Sequence, residues 1–370
     1  MSATHEMEIP TSREHVTTQW LTKVLRQNGV LPSGNVISME IRDNEAVNSK
    51  VFHLSLNYSS NAQASASTRL LVKLNWDHHG REEVGFYNLM KPHAQCLPML
   101  VTAYAAAYDS NTGNSFCLLE DISQSHMRPV EFGAVFNLNG VPSDVYLGPI
   151  IDAIAEFHAY WWEHPSLGQD IFGRHAWFAD EFHYQRHIER RHKNWMQFIA
   201  AESDSLPAEF RAIYQRVLEK LPILWERFLA ERMRTLKNIT LVNGDCYFSQ
   251  FLCPRIDGGR TYMVDLGSIG AAPGANDLVY LLATFWTSVQ RHEHQREEKL
   301  LRRYLEVLHA RGINDYSWEE LMTDYKVMLT LMIFDPVWNQ TDGSGRNYWW
   351  PKMSCLIGTF QDLRCMELLE

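Results

Sequence analysis

The stretch of sequence that decides the fold is Leu241-Val-Asn-Gly-Asp-Cys-Tyr-Phe-Ser-Gln250, followed by Thr261-Tyr-Met-Val-Asp-Leu-Gly267. In each segment an apolar strand pattern runs into an aspartate close to a glycine: Asp245 in the first and Asp265 in the second. Aspartates placed in this way can project their carboxylates into a cleft, and Gln250 adds a carboxamide. Two carboxylates and an amide oxygen form a hard, oxygen-rich set suited to magnesium.

The same residues have a plainer interpretation. Aspartate and glycine are the commonest turn residues, and either aspartate alone is better explained as a turn former. The two segments flank a predicted hairpin turn at Asp257-Gly258-Gly259, however, and together they favour a functional site.

Upstream of these segments, the first third of the chain is rich in strand patterns. Alternating or short apolar runs separated by polar turns predict strands over 36–42, 51–58, 68–74, 101–108 and 115–120. One helix is predicted within them, over 80–90. Another precedes them: it begins at Thr11, with Glu14 completing a capping box, and Gly29 ends it.

The rest of the chain is mainly helical in pattern. Apolar residues at helical spacing predict helices over 147–162, 207–234, 297–311 and 317–334. The predicted fold class is therefore α+β, with two lobes. Residues 1–121 would form an antiparallel sheet with one helix, and residues 122–370 a helical lobe.

Composition excludes several classes of function. The net charge of −10 and pI of about 5.9 argue against a nucleic-acid partner. Six cysteines without a C-x-x-C pair look like reduced thiols. No run approaches the roughly 20 apolar residues that span a bilayer, and the first ten residues lack a signal core. We therefore expect a cytoplasmic protein without a membrane partner, of undetermined oligomeric state.

The order of the motifs resembles the aminoglycoside phosphotransferase and choline kinase superfamily, which has the two-lobed protein-kinase-like fold, and especially its ecdysteroid-kinase-like branch. That family carries a His-Gly-Asp-x-x-x-x-Asn loop, a later strand that ends in aspartate, and a downstream Asp-Leu pair. The matching positions in this chain are Asn243, Gly244, Asp245 and Gln250, then Asp265, then Asp277-Leu278. Earlier segments resemble the family as well. Residues 48–52 match the hairpin that covers the phosphates, 71–73 the strand with the ATP-binding lysine, and Glu83 the helix glutamate that pairs with that lysine. Residues 118–121 match the hinge, and 155–162 the helix before the catalytic loop.

The resemblance implies a role for each matched residue in ATP- and Mg²⁺-dependent phosphorylation of a small-molecule hydroxyl. Asp245 would be catalytic, and Gln250 and Asp265 would hold the metal. Asn243 and Asp277 would brace the catalytic loop. The residues expected to contact the nucleotide are Ser49 of the hairpin, Lys73 of its strand, Glu83 of the helix that follows, and Glu120 and Ile122 at the hinge.

Three departures from the family pattern leave an alternative open. Asn243 stands for the family's histidine, Gln250 for its metal-binding asparagine, and the presumed phosphate loop, 42–50, contains no glycine. The extra methylene of glutamine moves the amide oxygen by about one bond length, and magnesium tolerates little error. The alternative is a nucleotide-binding pseudokinase with a regulatory or scaffolding role. No Walker A, G-x-S-x-G or strand-borne G-x-G-x-x-G sequence supports a different enzyme.

The acceptor side of the predicted site is less defined. Aromatic and acidic residues cluster at 177–183 and 334–338, with Tyr348-Trp349-Trp350 behind them. Such a mixture could hold a cationic amine or guanidine alcohol by cation–π contacts, although core packing explains most of the aromatics equally well. The candidate acceptor residues are Asp180, Asp335 and Trp338, with Asp335 as the counter-charge.

Overall fold

The computed structural model describes residues 8–44, 49–91, 96–169, 180–256 and 258–370. Contacts between residues divide the chain into two compact units. The first comprises residues 1–127 and 254–268, and the second comprises 128–253 and 269–370. The single boundary that the sequence suggests at 121/122 stays a prediction. That boundary places Pro254–Ser268 in the second lobe, whereas the contacts assign this segment to the first unit.

The strands are concentrated in the first unit. In chain order they are β1 (Val36–Asn44), β2 (Lys50–Tyr58), β3 (Arg69–Asn75), β4 (Ala103–Tyr108), β5 (Ser115–Glu120), β6 (His126–Met127), β7 (Thr240–Val242), β8 (Phe251–Pro254), β9 (Tyr262–Met263) and β10 (Gly270–Ala272).

The helices are concentrated in the second unit. They are α1 (Thr18–Gln27), α2 (Arg81–Met90), α3 (Phe132–Phe136), α4 (Asp144–Trp161), α5 (Glu181–Glu202), α6 (Ala208–Leu224), α7 (Ala230–Thr235), α8 (Ala275–Ala283), α9 (Ser288–His292), α10 (Arg296–Ala310), α11 (Trp318–Met332), α12 (Asp335–Thr341) and α13 (Arg346–Asp362). None of the described helices is long and apolar enough to cross a membrane.

The first unit is built on an antiparallel sheet with strand order β1-β2-β3-β5-β4. Side chains alternate between the two faces of a strand. In β3, Leu70, Val72 and Leu74 therefore enter the core that Trp20 and Leu21 of α1 also fill. Lys73 lies on the opposite face, and α2 packs beside β4 and β5. Alternation alone thus separates Lys73 from the apolar core of its own strand.

The second unit packs helices around a helix that is buried along its whole length. Every residue of α8 is buried, and α8 contacts α11 and α13. α4 packs on α10, and the short antiparallel pair β7–β10 lies beside α4. The pairing of Val242 with Gly270 sets the start of the loop that carries Asp245. The loop therefore begins from a buried strand.

The mixed fold with an antiparallel first lobe is confirmed, and the predicted strands agree with the observed ones to within about two residues. The start of the first helix was predicted wrongly. Arg13–His15 form a separate 3₁₀ turn, and α1 begins after Thr17, whose hydroxyl accepts the Trp20 N–H at 3.1 Å. Val16 between them is buried in the core, so the chain leaves the helical path there. Helices α3, α5, α9, α12 and α13 were not predicted.

Gly80, which precedes α2, should not tolerate a side chain. A Cβ there would lie 1.9 Å from Ser115 Oγ and 2.7 Å from Asn75 Nδ2, and both residues are buried. We expect Gly80→Ala to lower the free energy of unfolding by about 1–3 kcal/mol, because overpacking displaces α2 from the sheet. Denaturant unfolding of the purified variant measures this.

The matched control is Gly358→Ala in α13, where a Cβ would meet nothing within 4 Å. Alanine is favoured over glycine in a helix, so this change should be neutral or stabilising by up to about 1 kcal/mol. Equal losses in the two variants would contradict the packing argument for Gly80.

Candidate active site

In the first unit, three charged side chains from distant parts of the sequence meet at Lys73. Its Nζ lies 2.8 Å from Glu83 Oε2 of α2 and 2.7 Å from Asp265 Oδ1. The Glu83 side chain is only 2% exposed, whereas that of Asp265 is 54% exposed. The lysine therefore has one buried partner that fixes its position and one partner that faces solvent.

The charges of this group depend on one another. Burial alone lowers the pKa of Lys73, but the carboxylates of Glu83 and Asp265 outweigh it and raise that pKa above its ordinary value. Burial raises the pKa of Glu83, and Asp265 adds to this, while Lys73 and the Leu266 backbone amide oppose it. Lys73 is therefore firmly protonated, and Glu83 needs it to stay ionised.

The backbone at Asp265 has an uncommon conformation. Its φ of +62° lies in the left-handed region, which aspartate tolerates better than most residues. The strand expected to end at this aspartate is Tyr262–Met263, so Asp265 lies two residues beyond it. The adjoining Leu266 amide hydrogen-bonds the Glu83 carboxylate. The segment after β9 thus contacts both members of the Lys73–Glu83 pair.

The predicted hinge follows β5, which ends at Glu120. Asp121 holds the turn: it accepts hydrogen bonds from Arg69 at 2.9 Å and from the Ser123 amide at 2.9 Å. The Ile122 carbonyl accepts from the amides of residues 125 and 126 within that turn. Ser49 lies immediately before β2. Residues 45–48 of the presumed phosphate loop, and Asp257 of the predicted turn, lie outside the described residues.

In the second unit, the loop after β7 is fastened to Asp277 in the first turn of α8. Asp277 Oδ2 accepts the Asn243 N–H at 2.7 Å, and Oδ1 accepts the Gly244 N–H at 2.9 Å. Gly244 has a φ of +79°, which glycine adopts at little cost. The Asn243 side chain in turn accepts the Asp245 N–H at 3.2 Å. Two buried residues therefore fix the backbone on the approach to Asp245.

Two residues that the sequence analysis did not select complete this network. His158 of α4 lies with Nε2 3.2 Å from Asp277 Oδ2 and Nδ1 2.8 Å from the Tyr304 hydroxyl. All three side chains are buried. The sequence could have pointed to His158, because this residue lies in the segment that resembles the family's helix before the catalytic loop. It gave no indication of Tyr304, whose contact depends on how α10 packs against α4.

In the second unit, the candidate magnesium ligand is Gln250. Gln250 Nε2 lies 3.4 Å from Asp245 Oδ2, while Gln250 Oε1 is buried and has no hydrogen-bond partner among the described residues. A buried, unmatched amide oxygen is a fitting metal ligand. Across the described ranges, no three His, Cys, Asp or Glu side chains form a metal cluster. Magnesium does not need one, because it commonly takes one or two carboxylates with phosphates and water.

The predicted acceptor residues differ in their exposure to solvent: Asp180 and Trp338 are exposed, and Asp335 is buried. Asp180 caps α5, accepting the His183 N–H at 2.9 Å, and the Trp338 side chain is exposed. Residues 177–179 lie outside the described part of the chain. Asp335 is buried and pairs with Lys352 at 3.5 Å. The role of Asp335 as counter-charge for a cationic acceptor stays a prediction; in the structure the partner of this carboxylate is Lys352.

The solved structures that resemble this chain have the protein-kinase-like fold of small-molecule phosphotransferases. One, from Ralstonia eutropha, is described as a putative aminoglycoside phosphotransferase; it is 13% identical, with 95% of this chain and 98% of that chain covered and a TM-score of 0.59. A choline kinase from Cryptosporidium parvum is 11% identical, with 95% and 98% covered and a TM-score of 0.55. A spectinomycin phosphotransferase solved with ADP and spectinomycin is 10% identical, with 95% and 94% covered and a TM-score of 0.51.

A family model places the chain more narrowly. The DUF1679 model, described as "Uncharacterized oxidoreductase dhs-27", matches residues 46–335. The chain belongs to this ecdysteroid-kinase-like family, and the predicted superfamily resemblance is confirmed. No curated protein sequence matched the chain.

Removing the Lys73 charge should make stability depend on pH. In Lys73→Met the buried Glu83 loses its partner, so its already raised pKa rises further. An acid with a raised folded-state pKa costs nothing below its ordinary pKa of about 4.3, destabilises progressively as pH rises from there to the folded-state pKa, and adds no further loss above it. We expect the variant to lose up to about 3 kcal/mol between pH 5 and pH 8, measured by denaturant unfolding across that range.

Two controls isolate this effect. The wild type should show a smaller slope over this range, because Lys73 holds the pKa of Glu83 below its value in the variant, and the raised pKa of Lys73 keeps the contribution of the lysine intact until pH exceeds about 10.4. Lys73→Met combined with Glu83→Gln removes the titrating group and should abolish the slope. A loss in Lys73→Met that is equal at pH 5 and pH 8 would show that Glu83 is not the cause.

Proposed function

We propose that this protein is a phosphotransferase that uses ATP and Mg²⁺ to phosphorylate a hydroxyl group of a small molecule. The observation that carries the proposal is the Lys73 group of the first unit. A lysine fixed by a buried glutamate, with a solvent-facing aspartate on the same ammonium, is suited to binding a metal–triphosphate.

Each remaining residue has a role in this proposal. Lys73 binds phosphate oxygens, and the Glu120–Ile122 segment with Ser49 contacts the rest of the nucleotide. Asp265 and Gln250 hold magnesium, which when bound neutralises phosphate charge. Asp245 accepts a hydrogen bond from the acceptor hydroxyl and orients it. Asp277 positions that loop through the Asn243 and Gly244 amides.

The similar proteins support a kinase over an oxidoreductase. Proteins of this fold are described as kinases and phosphotransferases, one of them with ADP bound. The word oxidoreductase in the family description would suggest a nicotinamide dinucleotide fold, which needs parallel strands and a glycine-rich turn. The five-stranded sheet here is antiparallel throughout. No observation on this chain favours hydride transfer.

We place the reaction in the cytoplasm, with a small-molecule acceptor and neither nucleic acid nor membrane as partner. The six cysteines include no C-x-x-C pair and no dense framework, as is usual in a reducing compartment. The net charge of −10 disfavours binding to polyanions.

The proposal is tested by binding and turnover in the same preparation. MgATP at about 100 times its Kd should add roughly 2.7 kcal/mol of stability to the wild type, seen as a rise in Tm. Asp245→Asn should keep this rise but lose about 10²- to 10⁴-fold in acceptor-dependent ADP release. Asp265→Asn should lose the magnesium dependence of nucleotide binding.

The matched control is Asp204→Asn, an exposed aspartate after α5 that should leave both readouts unchanged. A wild type that gains no stability from any nucleotide refutes the proposal. Stabilisation by ATP without phosphate transfer to any alcohol would instead support the pseudokinase alternative.

A further inference from the structure

A histidine of the five-stranded sheet is joined to the predicted hinge in the first unit. His53 of β2 lies with Nδ1 3.0 Å from Asp121 Oδ2, and Asp121 directly follows β5. The Asp121 side chain is only 1% exposed, whereas that of His53 is 18% exposed. The contact therefore links a buried carboxylate of the hinge to an imidazole ring that solvent still reaches.

The surroundings of Asp121 keep its carboxylate ionised. Burial alone would raise the pKa of Asp121, but hydrogen bonds from His53 and Ser123 outweigh it and hold that pKa well below its ordinary value. Arg69 donates to the same Oδ2 at 2.9 Å. An ionised carboxylate can only accept hydrogen bonds, so the proton of a neutral His53 ring stays on Nδ1. The other ring nitrogen, Nε2, is then left as an acceptor.

Strand pairing places His53 on the same face of the sheet as Lys73. Opposite residues of an antiparallel pair point to the same face, and so do residues two positions apart along a strand. Val51 is paired with Lys73, and His53 is paired with Leu71. Successive pairs on one face are two residues apart, which corresponds to about 7 Å along the strands. The pair that contains His53 is thus the next one along this face from the pair that contains Lys73.

The hinge lies on the His53 side of Lys73. Cys117 of β5 is paired with Lys73, and the chain continues from there along β5 to Asp121. A nucleotide whose phosphates contact Lys73 and whose base reaches the hinge therefore passes the His53–Leu71 pair. Leu71 is half-buried and offers an apolar surface to the nucleoside. His53 adds an acceptor nitrogen beside that surface.

We propose that His53 is a further nucleotide-binding residue, whose Nε2 accepts a hydrogen bond from the nucleoside, and that Asp121 is its positioning residue. This inference rests on the proposed function for the presence of a nucleotide at Lys73. The donor is an amino group of the base or a hydroxyl of the ribose, since both present the same chemistry to an imidazole acceptor. Asp121 acts only through His53, by fixing the ring and its tautomer.

Loss of the acceptor should weaken the binding of a nucleotide but not that of its phosphates. His53→Phe keeps a planar ring and removes Nε2, so the Kd of MgATP in calorimetry should rise about 5- to 10-fold, as expected for one lost hydrogen bond. Magnesium tripolyphosphate, which has no nucleoside, should bind the wild type and the variant equally. The matched control is Ser55→Ala, on the same strand and face but one pair further from Lys73, which should change neither affinity.

Nucleotide analogues identify the donor on the wild-type protein. Purine riboside triphosphate lacks the amino group of the base, and 2′-deoxy-ATP and 3′-deoxy-ATP each lack one ribose hydroxyl. One of the three should bind the wild type about 5- to 10-fold more weakly than ATP. The same analogue should bind His53→Phe as well as ATP does, because its partner is already missing. Equal binding of all four nucleotides to the wild type, or the same loss in the variant, overturns the proposal.

The positioning role of Asp121 has a separate readout. Asp121→Asn no longer keeps the proton on His53 Nδ1, because an amide can donate to that nitrogen. The Kd of MgATP should therefore rise in the wild-type background and stay unchanged in the His53→Phe background. A merely structural role of Asp121 would weaken binding equally in both backgrounds, and that result refutes its action through His53.

These outcomes are separable from those of the kinase proposal. A wild type that binds neither MgATP nor magnesium tripolyphosphate refutes both proposals. Wild-type binding of MgATP that His53→Phe leaves unchanged, or an equal loss of MgATP and tripolyphosphate in that variant, refutes the role of His53 alone. The expected binding pattern without phosphate transfer to any alcohol refutes only the phosphotransferase function.

Discussion

The ion pair between Lys73 and Glu83 is the interaction on which the first unit depends. Glu83 is almost fully buried, and an unpaired buried carboxylate costs several kcal/mol. The pair therefore ties the register of β3 to the position of α2. Asp265, 192 residues away from Lys73 in the sequence, bonds the same ammonium. Asp265 is the most exposed of the three side chains and the one for which we propose metal binding. Lys73 and Glu83 are less exposed and hold Asp265 in place.

The second unit also contains a buried carboxylate that needs partners, and here the partners are mainly backbone amides. Asp277 is fully buried, and its oxygens accept two loop amides and contact His158. A carboxylate that accepts several hydrogen bonds stays satisfied without solvent. This explains how asparagine can stand at position 243, where the family has histidine: the loop is held by Asp277 through the backbone, and the Asn243 side chain needs only to accept the Asp245 amide.

The rings of Tyr247, Tyr280 and Tyr348 around Lys352 show why a cluster of aromatic and acidic residues is a weak guide to ligand charge. Such a composition is compatible with a site for cations, yet here the cation is Lys352. The buried lysine already contacts the carboxylate and the ring faces that a ligand cation would otherwise contact. Its only signal in the sequence was the i, i+4 spacing from Tyr348 on what proved to be α13, a helix that was not predicted.

The sequence by itself determined the five strands of the antiparallel sheet in the first unit and the faces of β3, because side-chain alternation is a local property of an extended backbone. It also marked Lys73, Glu83, Asp245, Asp265 and Asp277 through short motifs. Only the tertiary structure decided which charges meet: Lys73 with Asp265, Asp277 with His158, and Lys352 with Asp335. Such pairings depend on how distant elements pack and on which groups lose their water, and neither quantity is encoded in a local window of residues.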